Sequence, residues 1–126
     1  MIAQSFMNGL SRFPHADKAI ADLPWNDHPV FKGVAMKHLV TGAETSGNIS
    51  LHLVRIAPHC AIGQHSHATQ WELHQVLEGS GETLLEGKNI AYAPGTVGTM
   101  PSGENHEVRA GKDGLVLLAT FSPPLM

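Results

Sequence analysis

A chain of 126 residues falls in the size range of one domain and can bury roughly two thirds of the surface its unfolded form exposes, so it needs no covalent staple. With 42% hydrophobic residues, 15% charged residues and a formal net charge of -3, it carries no basic field, which argues against a nucleic-acid partner. The lone Cys60 excludes an internal disulfide, and residues 1–20 contain no apolar run long enough for a signal peptide or membrane span, so a cytoplasmic protein with no membrane partner is expected.

Residues 1–47 read as an irregular or partly helical extension. The stretch 14–23 (PHADKAIADL) is expected to form a short helix, and Pro24, Pro29 and Gly33 then break any longer element. Such a segment can add an edge strand to a barrel or cross to a partner subunit. From Asn48 onward the texture is that of strands. Residues 48–58 (NISLHLVRIAP) are apolar and rich in β-branched side chains, and 72–87 (ELHQVLEGSGETLLEG) reads as a hairpin of two strands joined at Gly79-Ser80-Gly81. Further short strands fit 89–93, 96–100, 105–109 and 115–121, the last two separated by a Gly-Lys-Asp-Gly turn at 111–114. No helical periodicity is long enough to cover a parallel sheet. The fold expected is therefore all-β, antiparallel, a sandwich or barrel, in one domain spanning 1–126 with residues 48–124 as its core. The strand 115–121 (LVLLATF) alternates too little to face water on one side, which favours a covering partner.

Histidine is in excess, nine against eight lysines and arginines together, a compositional hint of metal binding. In a strand, the pair His65-Ser66-His67 offers two imidazoles to one face about 6–7 Å apart, a spacing suited to chelation. Glu72 lies at an odd separation from His67, so a bend or bulge at Ala68-Thr69-Gln70 is needed to bring it to the same side. His106, after the turn Pro101-Ser102-Gly103, opens a short strand and supplies a fourth candidate.

From His65 the chain reads H-S-H-ATQW-E-LHQVLE-G, and from Gly95 it reads G-TVGTM-P-S-G-EN-H, which resembles the two sequence motifs of the cupin family. The resemblance covers residues 48–124, and the stretch between Gly79 and Gly95 matches the short spacer of small microbial cupins. His59 stands where the first motif begins with glycine and Ala110 where the second ends with asparagine, which bears on local turns and not on ligand positions. The resemblance implies a jelly-roll-like antiparallel barrel (a double-stranded β-helix), assembled as a homodimer, with one divalent transition metal inside on His65, His67, Glu72 and His106. Three imidazoles and a carboxylate suit Fe, Mn, Ni, Co or Zn.

Two more histidines are candidates for touching a small-molecule ligand. His74 shares strand parity with Glu72 and should face the same interior. His52 lies on the row Ser50-His52-Val54-Ile56, whose opposite face carries Ile49, Leu51 and Leu53. Trp71 should lie on the outer face, in packing or a subunit contact. Cys60, His15, His28 and His38 are expected to be ordinary surface or packing residues. Three functions fit. An octahedral ion with open positions suits an oxygenase, isomerase or lyase acting on a small oxygen-bearing molecule. The same barrel suits a small-ligand binding or sensing module. A tetrahedral ion with every position filled would be a structural fastener.

Overall fold

The computed structural model describes residues 2–126. Its elements in chain order are helix α1 (Ile2–Met7), β1 (Leu10–Arg12), β2 (Asp17–Ala19), a 3-10 turn (Ile20–Asp22), β3 (Asn26–Asp27), β4 (Val34–Val40) and a second 3-10 turn (Gly42–Thr45). β5 (Ser50–Ile56), β6 (Ala61–His65), β7 (Trp71–Leu85), β8 (Lys88–Tyr92), β9 (Val97–Met100) and β10 (His106–Ser122) follow. The main sheet runs β3-β4-β5-β10-β7-β8, all antiparallel, with β6 also on β10 and β9 also on β7. β10 is the spine: its first half pairs with β6 and β7 and its second half with β5 and β7, which curls the sheet into a barrel.

Strand alternation then decides what lies inside. Ser50, His52, Val54 and Ile56 of β5 turn inward, and Val54 and Ile56 pack with Val76, Tyr92, Val108, Leu115, Leu117, Ala119 and Phe121. The opposite face is also covered. Leu53, Val116 and Leu118 are buried against Ala3 of α1, Ile20 and Leu39, with Phe6, Met7, Leu23 and Trp25 packed around them. Residues 2–25 therefore roof the outside of the sheet, and each large side chain covered this way contributes about 1.5–3 kcal/mol. The roof is pinned by Lys37, whose buried Nζ donates to the Ile20 carbonyl at 2.9 Å and faces the Trp25 ring, while Arg55 sits 4.1 Å from that ring's centroid. The weak alternation of 115–121 is thus explained within one chain, because both of its faces have intramolecular cover.

Three local expectations are corrected. No α-helix spans 14–23. Asp17–Ala19 pairs instead with Leu10–Arg12, and the apolar spacing of Ile20 and Leu23 is met by a single 3-10 turn that delivers both to the same cluster. Gly79-Ser80-Gly81 is not a turn but the middle of one long strand, β7. Its glycines allow close approach to β10: a Cβ would lie 2.1 Å from the Gly114 carbonyl oxygen at Gly79 and 2.1 Å from that of Arg109 at Gly81. The hairpin turn falls later, at Glu86-Gly87, where both residues have positive φ, the backbone that two-residue hairpin loops require. Likewise 105–109 and 115–121 are two halves of β10, with the residues between Ala110 and Leu115 forming a register break. Across that break the inward set changes from His106, Val108 and Ala110 to Leu115, Leu117, Ala119 and Phe121, because β10 advances five residues while β7 advances two, and three extra residues, an odd number, exchange the faces. No helix among the described residues is long and apolar enough to cross a membrane.

Candidate metal centre

The barrel brings His65, His67, Glu72 and His106 together, each offering one ligand atom, with those atoms all within 4.8 Å of one another. Two ligands bound at about 2.1 Å on opposite sides of an ion are about 4.2 Å apart, so small side-chain shifts close the set. His65 is the last residue of β6, and the strand ends there. His67 therefore sits in the loop 66–70, not on a shared strand face, which corrects the expected source of convergence. The loop delivers the bend that Glu72 requires, and Gly103 N–H bonded to the His67 carbonyl at 2.8 Å holds the next loop against it. His106 opens β10 directly opposite His65, with ring centroids 4.2 Å apart.

Backbone acceptors set the tautomers. His65 Nδ1 lies 2.8 Å from the Gly63 carbonyl oxygen, and His106 Nδ1 lies 3.2 Å from that of Glu104. A carbonyl only accepts, so each Nδ1 carries hydrogen and each Nε2 is left to face the cluster. His67 Nε2 is buried with no hydrogen-bond partner, 3.5 Å from Glu72 Oε1. A buried polar nitrogen left without a partner is costly, and a metal ion bound there fits that need.

Glu72 divides its two oxygens between two tasks. Oε1 faces His67 and lies 3.1 Å from His106 Nε2, whereas Oε2 accepts a hydrogen bond from His74 Nε2 at 2.7 Å. Burial pushes the Glu72 carboxyl up, but the His74 and His106 side chains bonded to its oxygens, with the His67 ring close by, outweigh it and hold it well below 4.5. For His106, burial works downward, yet the Glu72 hydrogen bond and charge raise it above 6.5. His65 is pushed below 6.5 mainly by burial.

These directions carry a signed expectation for the metal-free protein. The raised His106 contributes stability that is full below 6.5 and is lost as pH rises through its folded value, and the depressed Glu72 contributes stability that is full above 4.5 and is lost as pH falls through its folded value. Relative to His106→Gln, the metal-free wild type should lose its advantage in melting temperature as pH climbs above 6.5. Metal affinity should rise over that same interval, because an ion must displace the His106 proton. Melts and metal titrations at matched pH check the opposed trends, and parallel trends would contradict them.

Behind Glu72 stands a chain of which the sequence reading held only His74. His74, fully buried, has Nδ1 2.8 Å from the hydroxyl of buried Tyr92. Burial raises Tyr92 to about 12, so its O–H stays protonated and donates to His74, whose other nitrogen donates to Glu72. Gly98, cross-strand from His74, makes room for this: a Cβ there would lie 2.0 Å from the Tyr92 hydroxyl oxygen. Nothing in local spacing marks Tyr92 or Gly98, since their faces are set by the long hairpin and the β7–β9 pairing.

The other histidines sort differently. His52 is inside the barrel but separated from His67 by Phe121, whose ring lies 5.6 Å from one and 5.1 Å from the other. His38, expected to be an ordinary packing residue, is hydrogen-bonded to His52. His28 accepts the N–H groups of Val30 and Phe31 and so closes a turn. Trp71 is 53% exposed, on the outer face as expected but without packing cover. A cavity of about 530 Å³ lined by Gln64, Leu84, Glu104, Asn105 and Arg109 touches the cluster at His106.

The family model described as a cupin domain matches residues 52–121 of this chain. The chain belongs to the cupin family. Both paired motifs read in its sequence fall on the barrel strands and loops just described. The chain is 28% identical over 90 residues to the oxalate-binding protein of Thermotoga maritima, covering 70% of this chain and 74% of that protein. Among solved structures, the cupin barrel is similar to a predicted oxalate decarboxylase from Thermotoga maritima, with TM-score 0.74 and 24% identity over 82% of this chain and 95% of that one. It is also similar to KdgF from Halomonas sp., with TM-score 0.72 and 21% identity over 82% and 90% of the two chains. A third likeness is to the polyketide cyclase RemF from Streptomyces resistomycificus, with TM-score 0.70 and 21% identity over 82% and 75%.

Proposed function

We propose that this cupin holds one divalent transition metal on His65, His67, Glu72 and His106 and uses it to bind a small oxygen-bearing molecule for oxygenase, isomerase or lyase chemistry. The observation that carries the reading is the buried, partnerless Nε2 of His67 facing Glu72 Oε1 within a cluster of three imidazoles. Fe, Mn, Ni, Co and Zn all suit such donors. The bound ion would supply a Lewis acid for ligand oxygens, and six-coordination would leave two positions beyond the four side chains. The chain's own residues set the frame. Gly63 and Glu104 carbonyls aim two imidazoles, and Tyr92 and His74 keep Glu72 Oε2 engaged, so that Oε1 alone is presented.

The ligand class inferred is a small bidentate oxygen chelator, and oxalate is the first to try, because the relative from Thermotoga maritima is named for binding it. That printed name also favours a second reading, in which the barrel binds such a ligand without turnover. We also propose a homodimer, with the exposed Trp71, Leu73 and Val97 as the surface covered by the second copy. Sedimentation equilibrium tests that assembly, and a monomer at micromolar concentration would remove it.

Titrating oxalate, catechol and a 1,3-dione into Co(II)-loaded wild type and His74→Ala tests the ligand class. Spectral changes in the wild type are expected; the variant should bind Co(II) about 10–100-fold more weakly, the range seen when an outer partner of a ligating group is removed, should still fill at saturating Co(II), and should then respond more weakly to the chelators. No spectral response to any chelator would sink the open-site reading. Equal responses in both proteins would remove His74 from ligand binding.

A further inference from the structure

On the inner face of β4 a second compartment is organised around a buried hydrogen-bond chain. A cavity of about 350 Å³ is lined by Asn26, Asp27, Met36, His38 and Leu125, between the β3–β4 edge and the C-terminal tail. His38 is cross-strand from His52, and their Nδ1 atoms are 2.8 Å apart. His52 Nε2 lies 2.9 Å from Ser50 Oγ, which accepts the Leu125 N–H at 2.9 Å. Both Ser50 and His52 have no exposed surface.

The direction of this chain follows from one backbone amide. Leu125 N–H can only donate, so Ser50 Oγ accepts there, and the buried hydroxyl hydrogen finds its acceptor in His52 Nε2. His52 then carries its hydrogen on Nδ1 and gives it to His38 Nδ1, which leaves the His38 hydrogen on Nε2. Both rings are held neutral: burial takes His52 down to about 4, and burial followed by the Lys18 charge lowers His38. Desolvating two imidazoles and a hydroxyl to fix one N–H is expensive for a merely structural purpose, since an apolar trio would fill the same space without that cost.

We propose that this cavity is a binding site for an uncharged carboxamide-like molecule, whose carbonyl oxygen accepts from His38 Nε2–H and whose N–H group lies along the polar β3 edge, where Asn26 shares the face of Met36 and Asp27 stands on the rim. An uncharged donor at His38 and a carboxylate at Asp27 disfavour an anion, and Met36 and Leu125 offer apolar flanks for the remainder of the molecule. Phe121 stands between His52 and His67, so the site is distinct from the metal cluster and does not depend on the metal being bound.

Histidine-selective ¹⁵N NMR with benzamide as the probe tests the proposal, using benzoate as its charged counterpart and metal-free and metal-loaded protein in parallel. The free protein should show His52 protonated on Nδ1 and His38 on Nε2, and benzamide should shift His38 Nε2 saturably in both forms. Affinity should fall at least about tenfold in His38→Phe, be largely retained in His38→Gln, which keeps a donor, and be about tenfold weaker for benzoate. Wild-type circular dichroism and metal content in both variants separate this result from misfolding and from the fate of the metal reading, while His38→Phe should melt lower because the buried His52 Nδ1–H loses its acceptor. The opposite tautomers, an unmoved His38 signal, equal binding by His38→Phe, or benzoate binding as tightly as benzamide would each overturn it.

Discussion

His67→Ala and His106→Ala should each bind divalent metal at least about 100-fold more weakly than the wild type, whereas His15→Ala should bind normally. The magnitude rests on a comparison: removing only an outer partner of a ligand costs 10–100-fold, and these substitutions remove the ligand itself. His106 should show the larger structural consequence, because its loss also leaves Glu72 Oε1 without the contact at 3.1 Å inside the barrel. His67 has no hydrogen bond at Nε2 to lose, so His67→Ala should reduce metal binding while leaving the metal-free melting temperature nearly unchanged. Elemental analysis after dialysis, with melts of the stripped proteins, checks both statements. Full metal occupancy in either variant would remove the proposed ligand set.

Gly98→Ala should damage the site from a distance. A methyl group 2.0 Å from the Tyr92 hydroxyl oxygen cannot be accommodated without moving the ring, and the ring is buried on all sides. Overpacking of this kind costs about 1–3 kcal/mol. Displacing Tyr92 also frees His74, which then no longer fixes Glu72 Oε2, so metal affinity should fall about 10–100-fold. Tyr92→Phe in the Gly98→Ala background should restore part of the stability, since the closest clash is with the hydroxyl, but not the affinity, since the donor to His74 is gone. The recovery should be incomplete because Tyr92 Cζ would still be 2.9 Å from the new methyl. Chemical denaturation and metal titration of the three proteins provide the test. Wild-type stability and affinity in Gly98→Ala would show that Tyr92 does not hold the cluster.

How much of this could be read from sequence follows from which forces act locally. The quartet His65, His67, Glu72 and His106 was legible because it sits in two short motifs whose spacing is preserved by the loops that carry it. The inward row from Ser50 to Ile56 was legible because β5 runs without a bulge. By contrast, Gly79-Ser80-Gly81 has the composition of a turn while its glycines serve contact with β10, a partner some thirty residues away. Residues 14–23 have helical spacing for one turn only, and pairing of β2 with β1 overrides the rest. The helix at Ile2–Met7 lacks a charge pattern that would mark it, and it is placed by burying Ala3 beneath the barrel's outer face. The same roof explains 115–121, which alone suggested a partner. His38 was passed over because its significance lies entirely in a cross-strand neighbour.

The most direct test of the central claim is the visible spectrum of metal-free protein titrated with Co(II). The account predicts saturation at about one ion per chain, with the weak bands of a five- or six-coordinate ion that change when oxalate is added. An intense tetrahedral spectrum indifferent to oxalate, or no binding at all, would contradict it.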